Sequence, residues 1–554
     1  MTSFVSGADD VRNQSPPFAD VNLFVSDAAL QDAVKREGAS YAVRRLSAHG
    51  AACGSADAFE RGRLANEVPP RLRTHDTKGR RLDVVEFHPA YHECMSASMS
   101  AGLHCGSWEA SETGGRAPGA NVARAGTLFI TAQMEAGHSC PMTMTNAAVP
   151  TLQLQPELAE VWLPKILSRT YDPSFRPMAG KQSVTIGMGM TEKQGGTDVR
   201  ANVTRADPAA NGGPGGEYIL TGHKWFFSAP MCDAFLVLAQ AAGGLSCFLV
   251  PRHLPDGTVN ALHLQRLKDK LGNRSNASAE VEFHGAHGWL IGEEGRGVPS
   301  IINMVTYTRL DCAVASAGLM RLAAAMAIRH ARCRHVFGRP LIEQPLMAQV
   351  LADLALEVEA ATALAFRLAR SFDRAEDERA AAWRRLMTPV TKYWVCKIAS
   401  PVVAEAMECL GGNGYIEENG MARLYREVPV NSIWEGSGNV MALDVLRVLQ
   451  REPEAVEIVL EELSQVTDQD AHLKRATERL RSILHEPRLL DMRARALIET
   501  LALVAAGTIV RAHAPPAVAD AFIASRLGAE PRQTYGQLVE WADARAILDR
   551  AFPA

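Results

Sequence analysis

The sequence predicts a multidomain α+β protein in which a β domain lies between helical domains. With 554 residues, the chain is too long for a single hydrophobic core. Strand-like runs, separated by glycine- and proline-rich turns, are confined to residues 182–297. Ala- and Leu-rich stretches with helical periodicity lie on both sides of that region, and those after residue 298 have the lengths of antiparallel bundle helices.

These changes of pattern divide the chain into five predicted segments. Residues 1–60 mix proline, aspartate and serine around one predicted helix at 26–37, and we interpret them as an arm that packs on a neighbouring part of the protein. The segments are this N-terminal arm (1–60), an N-terminal helical domain (61–181), a β-barrel-like domain (182–297), a helical bundle (298–451) and an extra C-terminal helical extension (452–554).

Composition and charge exclude several classes of protein. The formal net charge is -4, so a nucleic acid would have to meet a local basic patch. The ten cysteines contain no C-x-x-C pair, which favours reduced thiols in a cytoplasmic protein. The longest apolar run, at 501–510, is too short to span a bilayer, and the first residues lack a signal-peptide pattern. His88 and His92 are separated by Pro89 and have no third ligand nearby in sequence, so we expect no metal site.

The strongest candidate for a catalytic residue lies in the stretch NSIWEGSGN at residues 431–439. We expect Ile433 and Trp434 to shield the Glu435 carboxylate from water, which would raise its pKa and make it a usable base near neutral pH. The small residues that follow leave room for a flat or phosphorylated group near the backbone. On local pattern alone, a helix-capping loop with a solvated glutamate remains the more frequent structure.

Two motifs in the β domain have the composition of a cofactor site. Residues 188–198 (MGMTEKQGGTD) follow a predicted strand, where the main-chain N–H groups of residues 195–197 suit a phosphate and Thr191 offers a hydroxyl. Residues 222–228 (GHKWFFS) place three aromatic side chains in succession, so at least one ring faces away from the core and is free to stack. An ordinary glycine turn and a core strand are the alternatives.

Taken in order, these motifs resemble those of the acyl-CoA dehydrogenase superfamily, whose members contain FAD. The loop at 188–198 is similar to the superfamily's T-E-x-x-x-G-S-D loop, and Trp225 matches its strand tryptophan. RHVFGRPL at 334–341 looks like the R-x-x-F-G-x-P-[IL] segment, and LGGNGY at 410–415 looks like G-G-x-G-Y. WEGSGN at 434–439 resembles the catalytic loop, with serine in place of threonine.

The resemblance implies FAD as the cofactor and a role for each matched residue. Glu435 is implied as the base that removes an α-proton from an acyl thioester while the β-hydride passes to the flavin. Arg334 and Phe337, with the glycines at 411–414, are implied to reach the ADP half of FAD in a neighbouring subunit, which implies a homotetramer. The residues implied to bind FAD are Met190, Thr191, Gly196, Thr197, Trp225, Phe227, Ser228, Arg334, Phe337, Gly411, Gly412, Gly414, Ser437 and Asn439.

Within the superfamily, the chain resembles the AidB branch of bacterial adaptive-response flavoproteins. The resemblance runs nearly from end to end and is carried by residues 133–137, 140–145, 188–198, 268–278 and 429–438. It implies a tetramer that binds double-stranded DNA through its C-terminal helical region, acts in the response to alkylation damage and has weak dehydrogenase activity. Two departures put a CoA thioester substrate in question. Thr306 stands where many members have an aspartate that helps to hold CoA, and Phe227-Ser228 replaces Thr-Asn and adds bulk near the flavin.

The extension contains a basic cluster suited to such a partner. Residues 471–511 hold eight Lys or Arg against four Asp or Glu, whereas residues 452–470 are acidic. We expect Arg475 and Arg479, together with Arg488 and Arg495, to line one helical face and contact phosphates without reading bases. The predicted DNA-binding residues are Lys474, Arg475, Arg479, Arg481, Arg488 and Arg495. On charge alone, an ordinary solvated helix face explains the cluster equally well.

Two functional hypotheses follow from the sequence. The first is a DNA-associated flavoprotein that protects against alkylation damage and has residual acyl-CoA dehydrogenase activity. The second is an acyl-CoA dehydrogenase acting on a short or branched acyl-CoA, in which the C-terminal charges are solvated surface.

Overall fold

The computed structural model describes residues 12–110, 114–374, 376–468, 470–484, 487–528, 534–539 and 541–553. The helices are α1 (Ala28–Arg36), α2 (Val43–Cys53), α3 (Ala56–Glu67), α4 (Pro89–Ser100), α5 (Ala120–Met134), α6 (Ser139–Leu152), α7 (Pro156–Ile166), α8 (Gly297–Cys333), α9 (Pro345–Ser371), α10 (Glu378–Cys409), α11 (Gly412–Tyr415), α12 (Met421–Glu427), α13 (Gly438–Arg451), α14 (Pro453–Thr467), α15 (Ala471–Leu484), α16 (Leu490–His513), α17 (Pro516–Leu527) and α18 (Ala544–Ala551). The strands are β1 (Arg71–His75), β2 (Arg81–Glu86), β3 (Ile186–Gly189), β4 (Arg205–Pro208), β5 (Glu217–Ser228), β6 (Ala234–Ala241), β7 (Gly244–Pro251), β8 (Leu262–Leu267), β9 (Ser278–Ile291), β10 (His335–Val336) and β11 (Arg339–Pro340).

The N-terminal residues pack on the helical core. Phe24 is fully buried in the same apolar cluster as α8 and α9. Asp27 caps α1 by accepting a hydrogen bond from the Leu30 N–H, and its second oxygen pairs with Arg321 of α8 at 2.9 Å. The predicted helix at 26–37 is confirmed as α1. The β1–β2 hairpin lies within a region whose sequence pattern is mostly helical, and we did not predict it.

The middle of the chain forms a barrel of β3 to β9. Its strands follow the order β3-β6-β4-β5-β9-β7, β8 pairs with β9, and a β6–β7 ladder closes the ring. The strand-like apolar runs of residues 182–297 lie in β3, β5, β6, β7 and β9, whereas β4 and β8 were not predicted. These strands are short and carry polar residues outward, so the hydrophobic pattern is weak there.

The bundle is built on α8, α9 and α10, and the C-terminal helices pack on it. One continuous apolar core includes α8 to α10 and also α14 to α17. Arg526 of α17 crosses to α9, where its guanidinium pairs with Asp353 at 2.6 Å. Two helices, α8 and α16, are long and apolar enough to cross a membrane by length and composition alone. Since 89% and 67% of their apolar windows are buried inside the protein, core packing accounts for that composition.

Candidate active site

Glu435 lies in the turn that precedes α13, with its carboxylate directed at α8. Thr308, buried in the middle of α8, donates its hydroxyl to Glu435 Oε2 at 2.7 Å. The backbone of Glu435 has φ of +59°, a left-handed conformation that is unusual for a residue other than glycine. Such a conformation persists where surrounding contacts hold it, and it is frequent at functional sites.

Two cations hold the backbone of this turn. The Arg309 guanidinium donates from Nε to the Glu435 carbonyl oxygen at 3.0 Å, and its Nη1 pairs with Asp444 of α13 at 2.7 Å. From α10, Lys392 donates to the Gly436 carbonyl oxygen at 2.5 Å. Three helices that are distant in sequence therefore fix one peptide segment, which explains how Glu435 is kept in its strained conformation.

The surroundings of Glu435 differ in part from the sequence-based expectation. Ile433 is 65% exposed, so the prediction that it shields the carboxylate is wrong. The Glu435 carboxylate turns instead towards α8, where Thr308 contacts it. Trp434 is half-buried, and its indole N–H donates to Asn431 Oδ1 at 3.0 Å, which closes the turn.

The predicted rise in the pKa of Glu435 is confirmed in direction. Burial raises the pKa, while the Thr308 hydrogen bond and the charges of Arg309 and Lys392 oppose that rise. A carboxylate in this setting is a better proton acceptor than a solvated one.

Cys140 connects the catalytic turn with the β domain. Burial raises the pKa of its thiol to about 12, Lys270 opposes this rise, and Glu435 adds to it. Ser228, at the end of β5, lowers the pKa of this thiol. The end of the aromatic strand and the catalytic turn therefore both lie near Cys140.

The loop at 190–198 is fixed by a buried ion pair. Glu192 and Lys224 are both fully buried and lie 2.6 Å apart. Burial alone would raise the pKa of Glu192, but the Lys224 ammonium and the hydrogen bonds from Thr204 and Val203 hold it at about 2. The Trp225 N–H donates to the Thr191 carbonyl oxygen at 2.8 Å, which joins the loop to β5.

The individual residues of the loop have different environments. Met190 and Thr191 are half-buried, whereas Gly196 and Thr197 are exposed. The Gly195 N–H donates to the Glu192 carbonyl oxygen, so the prediction that it is available for a phosphate is wrong. A Cβ at position 196 would lie 2.4 Å from the Thr191 hydroxyl, so glycine there leaves that hydroxyl accessible.

The three aromatic side chains of β5 face different sides of the strand, as predicted, but Phe227 does not have its predicted role. Trp225 is half-buried, Phe226 is 52% exposed, and the Lys268 ammonium lies 3.4 Å from the Trp225 ring centroid. Phe227 is fully buried and its ring lies 4.2 Å from that of Phe235. The prediction that the Phe227 side chain adds bulk beside a flavin is therefore wrong. A register shift between Lys224 and Phe227 turns this side chain into the barrel core.

The motifs expected to reach an ADP group lie together on another surface. The Arg334 guanidinium donates to the Asn13 carbonyl oxygen at 2.6 Å, and Asn413 donates to Gln14 Oε1 at 3.1 Å. Phe337 is 94% exposed and has φ of +53°. The Gly411 and Gly412 backbones are also exposed, whereas a Cβ at Gly414 would lie 2.2 Å from the Met407 carbonyl oxygen. Ser437 precedes α13 without a side-chain capping hydrogen bond, and both Ser437 and Asn439 are exposed.

All six predicted DNA-binding side chains are exposed. Four of them, Lys474, Arg475, Arg479 and Arg481, lie on α15 opposite the face that buries Leu473 and Leu480. The prediction that Arg488 and Arg495 share this helical face is wrong, because a turn at residues 487–489 separates α15 from α16. Arg488 lies in that turn, and Arg495 lies on α16 with its guanidinium 6.0 Å from the Tyr393 ring.

Sequence reasoning missed Thr308, Arg309 and Lys392 as parts of the catalytic turn. The available signal was polar and basic residues inside long helices that are otherwise apolar, since such residues are rarely buried without a partner. All ten cysteines are free thiols. Among the described residues, no group of three or more His, Cys, Asp or Glu side chains is placed to hold a metal ion.

Comparisons with known proteins agree with this architecture. Three family profiles match successive parts of the chain. Residues 13–173 match the adaptive response protein AidB N-terminal domain, 187–286 the acyl-CoA dehydrogenase middle domain, and 295–450 the acyl-CoA dehydrogenase C-terminal domain. The chain is 51% identical to AidB of Escherichia coli (strain K12) over 513 residues, which cover 92% of this chain and 93% of that protein.

Solved structures show the same fold. Caenorhabditis elegans ACDH-11, in complex with C11-CoA, matches with a TM-score of 0.81 and 29% identity over 97% of this chain and 92% of that chain. Butyryl-CoA dehydrogenase from Megasphaera elsdenii shares the fold at a TM-score of 0.57 and 21% identity, over 76% of this chain and 98% of that chain.

The chain therefore belongs to the acyl-CoA dehydrogenase family of FAD-dependent oxidoreductases. Within that family, it belongs to the AidB branch.

FAD is the cofactor of this family, and the residues present fit it. Thr191 and the half-buried Trp225 ring offer a hydroxyl and an apolar surface to a flavin. No atom lies within 4 Å of a Cβ built at Gly411 or Gly412, so a phosphate or ribose has room to approach these backbones.

Proposed function

We propose that Glu435 is the base of an acyl-thioester dehydrogenation, and that the protein also binds double-stranded DNA through its C-terminal helices. The observation that carries the first part is the orientation of the carboxylate. Thr308 holds the Glu435 carboxylate, Arg309 holds the backbone of the turn, and burial raises the pKa of the carboxyl group. The β domain next to this turn is suited to FAD.

The chemistry assigned to Glu435 is the removal of one proton. The acyl thioester loses its α-proton to the carboxylate, the electrons of that C–H bond form the α–β double bond, and a hydride leaves the β-carbon. When bound, FAD supplies the acceptor for that hydride. Glu435 is half-buried, so fewer water molecules reach its carboxylate than reach that of a surface glutamate.

An acyl-CoA is the proposed substrate class, with weak turnover. The complex of ACDH-11 with C11-CoA supports the class. The weak turnover is supported by Thr306, whose uncharged hydroxyl donates to the Ile302 carbonyl oxygen at 2.9 Å and is thus engaged within α8. An aspartate that holds CoA in other members is missing at this position.

Anaerobic flavin bleaching tests the enzymatic proposal. Acyl-CoAs of graded length are added to the FAD-loaded protein, and the loss of flavin absorbance is followed in wild type and Glu435→Gln. We expect the bleaching rate to fall by about a thousandfold in the variant, since a positioned base contributes about 10²–10⁴. Equal rates in both proteins, at equal FAD content, would refute Glu435 as the base.

DNA binding is proposed for the basic surface, which we define as Lys474, Arg475, Arg479, Arg481 and Arg488. Its side chains are exposed and lie on α15 and the following turn, where phosphates can reach them. Membership of the adaptive-response branch supports protection of DNA against alkylation as the biological role. Contacts of this kind are with the backbone and read no sequence.

Duplex binding across a salt series tests this second part. We compare wild type with a variant in which Lys474, Arg475, Arg479 and Arg481 are alanine, and with Arg545→Ala, a control that removes a 93% exposed arginine of α18. The slope of log affinity against log salt should fall by about 0.9 for each lost phosphate contact and stay unchanged in the control. Equal slopes in all three proteins would contradict the proposal.

We also propose a homotetramer in the cytoplasm. Phe337 and Tyr415 are 94% and 82% exposed beside the motifs expected to reach a neighbour's cofactor, which supports a subunit contact there. The ten free thiols support a reducing compartment. Light scattering after gel filtration tests the assembly: a monomer that retains its flavin would exclude it.

A further inference from the structure

Thr308 has two acceptors for a single hydroxyl proton. Its Oγ1 lies 2.7 Å from Glu435 Oε2 and 3.0 Å from the carbonyl oxygen of Val305, one turn earlier in α8. A threonine hydroxyl donates one hydrogen bond and accepts up to two, so it cannot donate to both oxygens at once. Thr308 is 2% exposed, and bulk water is therefore not a third partner.

The protonation state of Glu435 decides between the two acceptors. When the carboxylate is ionised, a charge-assisted hydrogen bond to it is stronger than one to a neutral carbonyl, which agrees with the shorter distance. After Glu435 has taken a proton on Oε1, a half-turn of the carboxyl group about the Cγ–Cδ bond brings that O–H to Thr308 Oγ1, and the threonine proton turns to Val305. No bond other than hydrogen bonds is formed or broken by this rotation.

We propose that Thr308 is a positioning residue that holds the Glu435 side chain both before and after proton transfer, by rotating its own proton between Glu435 and Val305. The inference rests on the proposed role of Glu435 as the base.

The other residues that contact the turn do not hold the Glu435 side chain. Arg309 and Lys392 contact the backbone carbonyls of residues 435 and 436, so they fix the turn and leave the side-chain torsions free. Within the described parts of the chain, the Thr308 hydroxyl provides the one side-chain hydrogen bond to the carboxylate. Oε1 is thereby left to receive the substrate proton.

The charged and titratable groups around Glu435 come from three helices. They are Arg309 and the Cys312 thiol on α8, Lys392 on α10 and the Cys140 thiol on α6. Burial raises the pKa of both thiols, so they are neutral in the pH range of the test. Changes in the protonation of Glu435 are therefore attributable to its own carboxyl and the Thr308 hydroxyl.

The test compares Thr308→Val with Thr308→Ser. Valine matches the shape of threonine but removes the hydroxyl, whereas serine keeps the hydroxyl and loses the methyl group. We measure the single-turnover bleaching rate from acid to alkaline pH at saturating acyl-CoA. In Thr308→Val the rate should fall by about tenfold, and its acid limb should move to higher pH because the ionised base has lost a donor. Thr308→Ser should keep the wild-type profile.

A second measurement does not depend on turnover. The C=O stretching band of protonated Glu435, identified as the infrared band that Glu435→Gln removes, is titrated in the protein without FAD. The midpoint should lie at higher pH in Thr308→Val than in wild type and Thr308→Ser. If valine prevents folding, Thr308→Ala replaces it, and its midpoint should also lie above that of Thr308→Ser.

The outcomes separate this inference from the proposed function. If wild type bleaches, Glu435→Gln does not, and Thr308→Val has the wild-type profile and midpoint, the positioning role is wrong while the base assignment stands. If Glu435→Gln bleaches as fast as wild type, the base assignment itself fails. A uniform loss of rate in both Thr308 variants without a pH shift would indicate a packing role and would also overturn the inference.

Discussion

The catalytic turn with its supporting β loop and the basic surface of α15 both depend on charged side chains, but they use them in opposite ways. Lys224 and Glu192 are fully buried and paired, and Arg309 is buried against Asp444. The basic residues of α15 are exposed above an apolar face that does the packing. Charges of the first kind determine the position of other groups, whereas charges of the second kind are available to a partner. Substitutions in the two regions should therefore have different consequences.

The largest effect is expected at the buried pair of the flavin loop. Lys224→Met leaves the Glu192 carboxylate buried without its cation, which should lower the free energy of unfolding by about 3–5 kcal/mol. The measurement is urea unfolding together with the FAD content of the purified protein. The double variant Glu192→Gln, Lys224→Met should recover much of the loss, because it removes both charges.

An exposed ion pair provides the control. Arg63 and Glu60 lie 2.6 Å apart on the surface of α3, and Arg63→Met should lower the free energy of unfolding much less than Lys224→Met does, because solvent screens an exposed pair. The stability of the protein at acid pH provides a second test of the buried pair. Because the pKa of Glu192 is held at about 2, its contribution to stability is present above pH 4.5 and is lost as the pH falls towards 2. Wild type should lose stability more steeply than the double variant in that range. A Lys224→Met protein as stable as Arg63→Met would contradict the distinction.

The sequence was informative where a function depends on a short contiguous motif. Glu435, the loop at 190–198 and the exposed arginines of α15 were all found from local spacing. The supports of Glu435 were not, because Thr308, Lys392 and Asp444 come from three separate helices and no local pattern connects them. Phe227 was misassigned since one register shift in β5 reversed the expected alternation of its side chains.

Asp444 tests how far the catalytic turn depends on a residue that touches no reacting atom. Asp444→Asn weakens the contacts to Arg309, Arg385 and Arg447, so Arg309 is no longer held against the Glu435 carbonyl. We expect about a tenfold slower bleaching, which corresponds to about 1.4 kcal/mol, with little change in acyl-CoA binding. Arg447→Gln, which leaves the Arg309 contact in place, is the matched control. An unchanged rate in Asp444→Asn would mean that Arg309 alone keeps the turn in position.

The α15 arginines should act independently of one another. Arg475→Ala and Arg479→Ala each remove one exposed cation, and each should weaken duplex binding several-fold at low salt while changing stability by less than about 0.5 kcal/mol. Since exposed charges are screened and do not share a buried partner, the double variant should show the sum of the two changes in binding free energy. Fluorescence anisotropy with the same duplex measures all four proteins. Strong coupling between the two positions would mean that Arg475 and Arg479 act together in one preorganised binding site, as the buried pair does in the flavin loop.

Arg495 has the smallest expected effect because it belongs to neither region alone. It is exposed and on the basic side of the extension, yet its guanidinium lies 6.0 Å from the Tyr393 ring, and a Cβ at Gly438 would lie 3.1 Å from its Nη2. A cation–π contact of this kind contributes about 0.5–1 kcal/mol at an exposed site. Arg495→Gln should therefore lower the free energy of unfolding by about that amount and weaken duplex binding less than twofold, less than Arg475→Ala does. The two measurements are urea unfolding and anisotropy. A larger loss of DNA affinity than in Arg475→Ala, without a loss of stability, would assign Arg495 to the DNA contact and extend that surface to the start of α13.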